Sequence, residues 1–379
     1  MASTRGRKQP MDFRKDEVSY VMQRWKASDS CSLVGVGSVG KSNLLQHLAN
    51  PEVQKAYMNI TNSGDFKVII IDPNLLGPLP STGQDVEQIR CWAGYELLMH
   101  RLFMAFYPFE EGAISREDGM RFYEAYQGLQ DGTNPLYAYM GLRYFELGLE
   151  ILMRHGIRIV FMFDEFEEML KHLPAKFFQT LRGIRDANKR QLSYLTFTRA
   201  PLSALVNQFE LSILDLEPFT ELFTDSIYYV SPYNKVDAKR MVDNLMARND
   251  KKLNNQEIEF LMWSTGRYAG LLRSGLRLMD SLGEIDSSSM LNDELVRKLA
   301  IRRPIRMECK TIWMSLTQPE HHVLRAVAGL ETYNSNTETE NAVAMLVQKH
   351  LLSVDKMNQT LHIQPPVFRA FVGSNPETS

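Results

Sequence analysis

Four residues near the start of the chain have the types and the spacing to hold a polyphosphate. Gly35, Gly40, Lys41 and Ser42 fall in the order G-x-x-x-x-G-K-S, and the chemistry explains each of them. Glycines let backbone N–H groups curl around an anion, and a helix opening at Lys41 aims its partial positive charge at the same point. Lys41 is placed to reach the β- and γ-phosphates, and the Ser42 hydroxyl to hold Mg²⁺. Val36, Gly37, Ser38 and Val39 complete the loop, and Asn43 follows it. At ordinary residue frequencies the four fixed positions would coincide in roughly one chain of this length in a hundred.

A second group of candidates closes an apolar run. Residues 157–163 read Ile-Arg-Ile-Val-Phe-Met-Phe and lead into Asp164-Glu165. A strand buried on both faces would deliver Asp164 to the metal shell at its carboxyl end. Glu165, one residue on, is the candidate general base for an attacking water. A further strand, residues 191–199, is polar only where it ends, at Thr198-Arg199. Arg199 is the candidate γ-phosphate sensor, with Thr198 as its alternative. Arg182 and Arg185 are candidates to act in trans if the chain oligomerises, or are surface charge. Arg14, after Phe13, stands ahead of the first strand, where a nucleotide fold can approach the base or where the pair can serve as the structural start of the domain.

These residues need elements to position them. The loop must sit between a short apolar run from Ser32, read as a buried strand, and a helix carrying Leu44, Leu45 and Leu48 at helical spacing. Residues 67–73, ended by Asp-Pro, and 226–232 supply more strands, and the alternation with helices implies a parallel sheet covered on both faces. A helix is expected over residues 11–26, two more near 85–107 and 135–155, and one over 166–190. The acidic stretch between the second and third of these reads as a solvated loop or a small helical insert, a candidate partner surface.

Past residue 233 strands give way to helices, expected at 235–247, 255–263 and 270–282. The turn at 264–273 carries Tyr268 as a candidate nucleotide contact. Residues 296–310 hold six basic side chains against Glu308 and read as a solvated connector or a phosphate-facing one. Thr317 and Glu320 spell a capping box. Two helices and two short strands joined by Asn358-Gln359 then make a winged helix. Its would-be recognition helix offers Lys349 and His350 but also Glu340.

The bulk properties exclude several classes. A chain of 379 residues exceeds one comfortable core, and a net charge of −2 does not advertise nucleic acid. Cys31, Cys91 and Cys309 are too few and too scattered for a disulfide framework or zinc site. Residues 1–10 read as a flexible basic tail rather than a signal peptide, and no apolar stretch approaches the length of a membrane span. The expectation is a cytoplasmic protein with no membrane partner.

Taken together, the P-loop, Asp164-Glu165, Thr198-Arg199, the lid turn at Gly266 and the terminal winged helix resemble the archaeal-type ATPase and STAND relatives of the AAA+ superfamily. The likeness covers nearly the whole chain, although Thr265 stands where that family has the first of two glycines. It implies an α/β P-loop NTPase sheet of ASCE/AAA+ type over 11–233 with a helical insert at 74–150. A helical lid at 234–300 and a winged helix at 301–375 would follow. The implied cofactors are ATP or ADP with Mg²⁺. The implied function is a slowly hydrolysing switch that controls a partner or effector protein, with homo-oligomers in view. The alternative is a DNA-engaging initiator- or transposition-type ATPase.

Overall fold

The computed structural model describes residues 9–60, 64–109, 114–282, 292–355, 357–358 and 360–374. Most of the expected tail, Glu110-Glu111 and Gln359 of the hairpin turn lie outside them. The chain forms two compact units. One takes the chain up to Met11, Lys15–Leu33 and Leu44–Tyr228; the other takes Asp12–Arg14, Val34–Asn43 and Tyr229–Ser379. The phosphate-type loop therefore clusters with the C-terminal half of the sequence.

The strands β1 (Cys31–Val34), β2 (Phe66–Ile71), β3 (Arg158–Phe163), β4 (Leu192–Thr198) and β5 (Ile227–Tyr229) form one sheet in the order β2-β3-β4-β1-β5. β2 pairs parallel with β3, Phe66 opposite Arg158 and Ile71 opposite Phe163, and β3 pairs parallel with β4. The central strands are almost continuously apolar because both faces are covered. The buried hydroxyls between β1 and β4 satisfy one another: Thr196 donates to Ser32 at 3.0 Å, and the Tyr194 N–H donates to Ser30 at 3.0 Å.

Helix α1 (Lys15–Lys26) buries Val18, Val21, Met22 and Trp25. It starts four residues later than expected, because Arg14 takes a left-handed backbone conformation, φ 47°. After the loop come α2 (Lys41–Leu48) and α3 (Pro51–Met58), the latter capped by the Asn50 side chain. The long stretch that follows holds α4 (Val86–Phe106), α5 (Arg116–Gln130) and α6 (Tyr137–Arg154). The acidic segment is thus α5, opened by a Ser115 cap and burying Phe122, Tyr126 and Leu129. Its carboxylates face water while its aromatic residues join the same core as Ile71, Phe161 and Phe163 of the sheet. The helix expected over 166–190 is two, α7 (Phe166–His172) and α8 (Ala175–Ala187). Pro174 separates them, since it lacks an N–H and pushes the preceding residue out of the helical region. Helices α9 (Leu202–Gln208) and α10 (Ile213–Thr220) lead to β5.

The second unit contains α11 (Lys235–Asn249), α12 (Asn255–Ser264) and α13 (Ala269–Leu278), close to the expected lid helices. Beyond them the basic stretch, expected as a solvated or phosphate-facing connector, forms the helices α14 (Asp293–Ala300) and α15 (Arg303–Trp313). The reason is its apolar spacing: Leu295, Val296, Leu299, Ile305, Cys309 and Ile312 are all buried. Next come α16 (Gln318–Val327), α17 (Thr337–Gln348), the antiparallel hairpin β6 (Leu352–Val354) and β7 (Leu361–Ile363), and α18 (Pro366–Gly373). The expected capping box is present, with the Thr317 N–H donating to Glu320 at 2.8 Å. Among the described residues no helix is long and apolar enough to cross a membrane.

Candidate functional site

The loop has the local form that its spelling requires. β1 ends at Val34, and Lys41 and Ser42 are the first two residues of α2. Gly40 takes φ 100°, a backbone state that side chains rarely tolerate. Ser42 is exposed, as a metal-binding hydroxyl would need to be, while Val36 and Val39 are buried beneath the loop. The residue types suit a polyphosphate and its cation.

Several donors of the loop are nevertheless engaged by protein. The Lys41 ammonium donates to the Gly35 carbonyl. The Gly37 N–H donates to the Ser315 hydroxyl at 3.3 Å, and the Ser38 hydroxyl donates to the Glu308 carboxylate. The Ser38 carbonyl accepts from the Gly270 N–H at 2.9 Å, so α13 begins on the loop itself.

A second set of residues supports the loop from behind. The Arg14 guanidinium donates to the carbonyls of Val39 at 2.6 Å and Ser231 at 2.8 Å, and lies 4.6 Å from the Tyr233 ring centroid. It is 2% exposed, so Arg14 holds the loop's shape instead of offering its charge to solvent. Asn43 donates to the Tyr233 hydroxyl at 2.8 Å, and Phe13 meets the same ring edge-on. Tyr233 was not singled out from sequence, and its only signal there is its place just before a helix.

Tyr268 goes elsewhere. It caps the start of α13, but its side chain is buried, with the hydroxyl 3.3 and 3.2 Å from the Lys349 and His350 carbonyls. Burial pushes its phenol well above the ordinary value. The side chain thus ties α13 to the segment ahead of β6.

In the first unit, Asp164 and Glu165 follow β3 as expected. Glu165 has φ 41° and opens α7, an uncommon state for a residue with a side chain. Arg199, just past β4, reaches two acids at the α7 start: its Nε is 3.1 Å from Glu167 and a terminal nitrogen is 3.4 Å from Glu165. Thr198 is fully buried, and its hydroxyl has no hydrogen-bond partner among the described residues. Sheet order puts β4 between β1 and β3. Glu167 is legible in the sequence only as the end of the acidic run Asp164-Glu165-Phe166-Glu167 and carries no role there, because a buried carboxylate at the second position of a helix looks like any surface acid.

Two other candidates are used within their own chain. Arg182 donates to Asp186 at 2.7 Å and to the Pro218 carbonyl at 2.6 Å. Arg185 lies 3.4 Å from the Ser28 carbonyl and 3.6 Å from Asp186. In the winged-helix part, Lys349 is not a DNA-facing cation. It is fully buried and paired with Glu320 at 2.6 Å, and burial depresses its ammonium below the lysine range against the opposing pull of that carboxylate. The basic residues Arg297, Arg306 and Arg369 do line a groove of about 590 Å³ beside Phe371.

No protein-family model matches the chain, and neither does any curated protein. Solved structures do. A Walker-type ATPase of Pyrococcus abyssi matches with a TM-score of 0.51 at 16% identity, over 98% of this chain and 99% of that one. The Aeropyrum pernix ORC2 protein, solved as ADPNP-ADP complexes, gives 0.47 at 12% identity over 100% and 98%. The RuvB Holliday junction branch migration motor of Thermotoga maritima gives 0.37 at 12% over 94% and 92%. This chain, over nearly its whole length, has the fold of the Pyrococcus Walker-type ATPase.

Proposed function

We propose that the chain binds ATP with Mg²⁺, hydrolyses it slowly, and uses the difference between ATP and ADP to control a partner protein. Lys41 and the loop amides would hold the phosphates, Ser42 and Asp164 the cation, and Glu165 would polarise the attacking water. The cation supplies charge neutralisation for the developing phosphoryl oxygens. Arg199 reports on the γ-phosphate, and its present ion pair with Glu165 keeps the base occupied, which favours slow turnover.

One observation carries the switch reading. The Gly270 N–H at the start of α13 donates to the Ser38 carbonyl, while Tyr268, two residues earlier, reaches the carbonyls ahead of β6. A loop that reshapes around a γ-phosphate would pull on a helix start that is tied to the turn between α17 and β6, and so bias a two-state element. Hydrogen exchange with ADP and with a slowly hydrolysed ATP analogue tests this. Protection of α13 and β6 should differ between the two nucleotides, and identical protection overturns the switch.

A DNA-engaging ATPase is the second reading, favoured by the groove of Arg297, Arg306 and Arg369. Against it stand the buried Lys349 and the acidic Glu338 and Glu340 opening α17.

A further inference from the structure

The loop at residues 35–41 is met by α15 in a way that neither its motif nor its fold requires. The Glu308 carboxylate accepts from the Ser38 hydroxyl and sits 3.4 Å from the Ser274 hydroxyl. One turn further on, the Thr311 carbonyl packs against Gly37, where an added Cβ would lie 2.6 Å from that oxygen. A turn beyond, Ser315 takes the Gly37 N–H. A carboxylate, a carbonyl and a hydroxyl thus share one side of the tip of a loop built to receive phosphate oxygens. A loop-binding nucleotide must compete with them for at least the Gly37 amide and the Ser38 side chain.

We propose that α15 is an internal competitor of nucleotide: the Glu308 carboxylate takes an anion's place at the loop tip, and nucleotide loads only when α15 lets go. The inference rests on the nucleotide-binding reading and adds its regulation. Apparent affinity is then the intrinsic affinity multiplied by the fraction of molecules with α15 released.

The test is titration of the full chain with a fluorescent ADP. Glu308→Ala removes the competing carboxylate and should tighten binding by about tenfold or more, the gain expected if the open form is a tenth of the population or less. A second variant carries Ser38→Cys with Glu308→Cys. Oxidation should join the two and abolish binding, and reduction should restore it. An unchanged or weaker Glu308→Ala affinity overturns the proposal while leaving nucleotide binding intact. So does a double variant that fails to cross-link, or one that binds equally when oxidised. If neither the wild type nor any variant binds, the nucleotide reading falls and takes this inference with it.

Discussion

At the scale of single residues, the chemistry divides between groups that would meet nucleotide and groups that hold them. Lys41→Ala should remove ATP binding, because no other side chain of the loop carries a charge to the phosphates; calorimetry with unchanged affinity would refute the phosphate role. Glu165→Gln should bind as before yet turn over about 10²–10⁴ times more slowly, measured as phosphate release at saturating ATP. For Arg199→Ala the expected loss is discrimination between ATP and ADP, checked by comparing the two dissociation constants. Asp118 offers a pH-dependent case. Hydrogen bonds from His155, and then from Ser115, hold its carboxyl below the ordinary carboxylate range. A depressed value in the folded state means its stabilisation is present above that ordinary range and is lost as pH falls through the lowered value. An NMR titration should show its midpoint rising in His155→Ala.

At the scale of elements, one buried ion pair joins the start of α16 to the end of α17. Glu320 caps Thr317 and also receives Lys349 at 2.6 and 2.9 Å. Lys349→Met leaves that carboxylate buried without its cation and should cost about 3–5 kcal/mol, read as a lower urea midpoint. The capping box itself was legible in sequence, because its two members are three residues apart. The same holds for Gly40-Lys41 and for Asp164-Glu165, whose meaning lies in short spacing beside an apolar run. Lys349 was misjudged because its partner is 29 positions away, and a lysine at a helix end reads as solvated. Glu308 was hidden for a stronger reason: it is 270 positions from Ser38, and its basic neighbours suggest the opposite charge. The fold was more legible than the site, since periodic apolar runs report burial locally while loop occupancy is decided by distant packing.

At the scale of the whole molecule, the switch and DNA readings part in solution. Sizing by light scattering with ADP and with an ATP analogue should show a nucleotide-dependent change in assembly; identical masses remove self-assembly from the proposal. DNA binding, if it occurs through the arginine groove, must weaken steeply as salt rises, and no binding at low salt dismisses that reading. The three cysteines make such experiments simpler. Cys31, Cys91 and Cys309 are all buried and free, and burial pushes the Cys31 and Cys91 thiols up to about 12, with Cys309 higher still. Since only the thiolate reacts, maleimide dyes should ignore the native chain, and donor–acceptor pairs can be written onto α13 and the hairpin without first stripping the protein of sulfur.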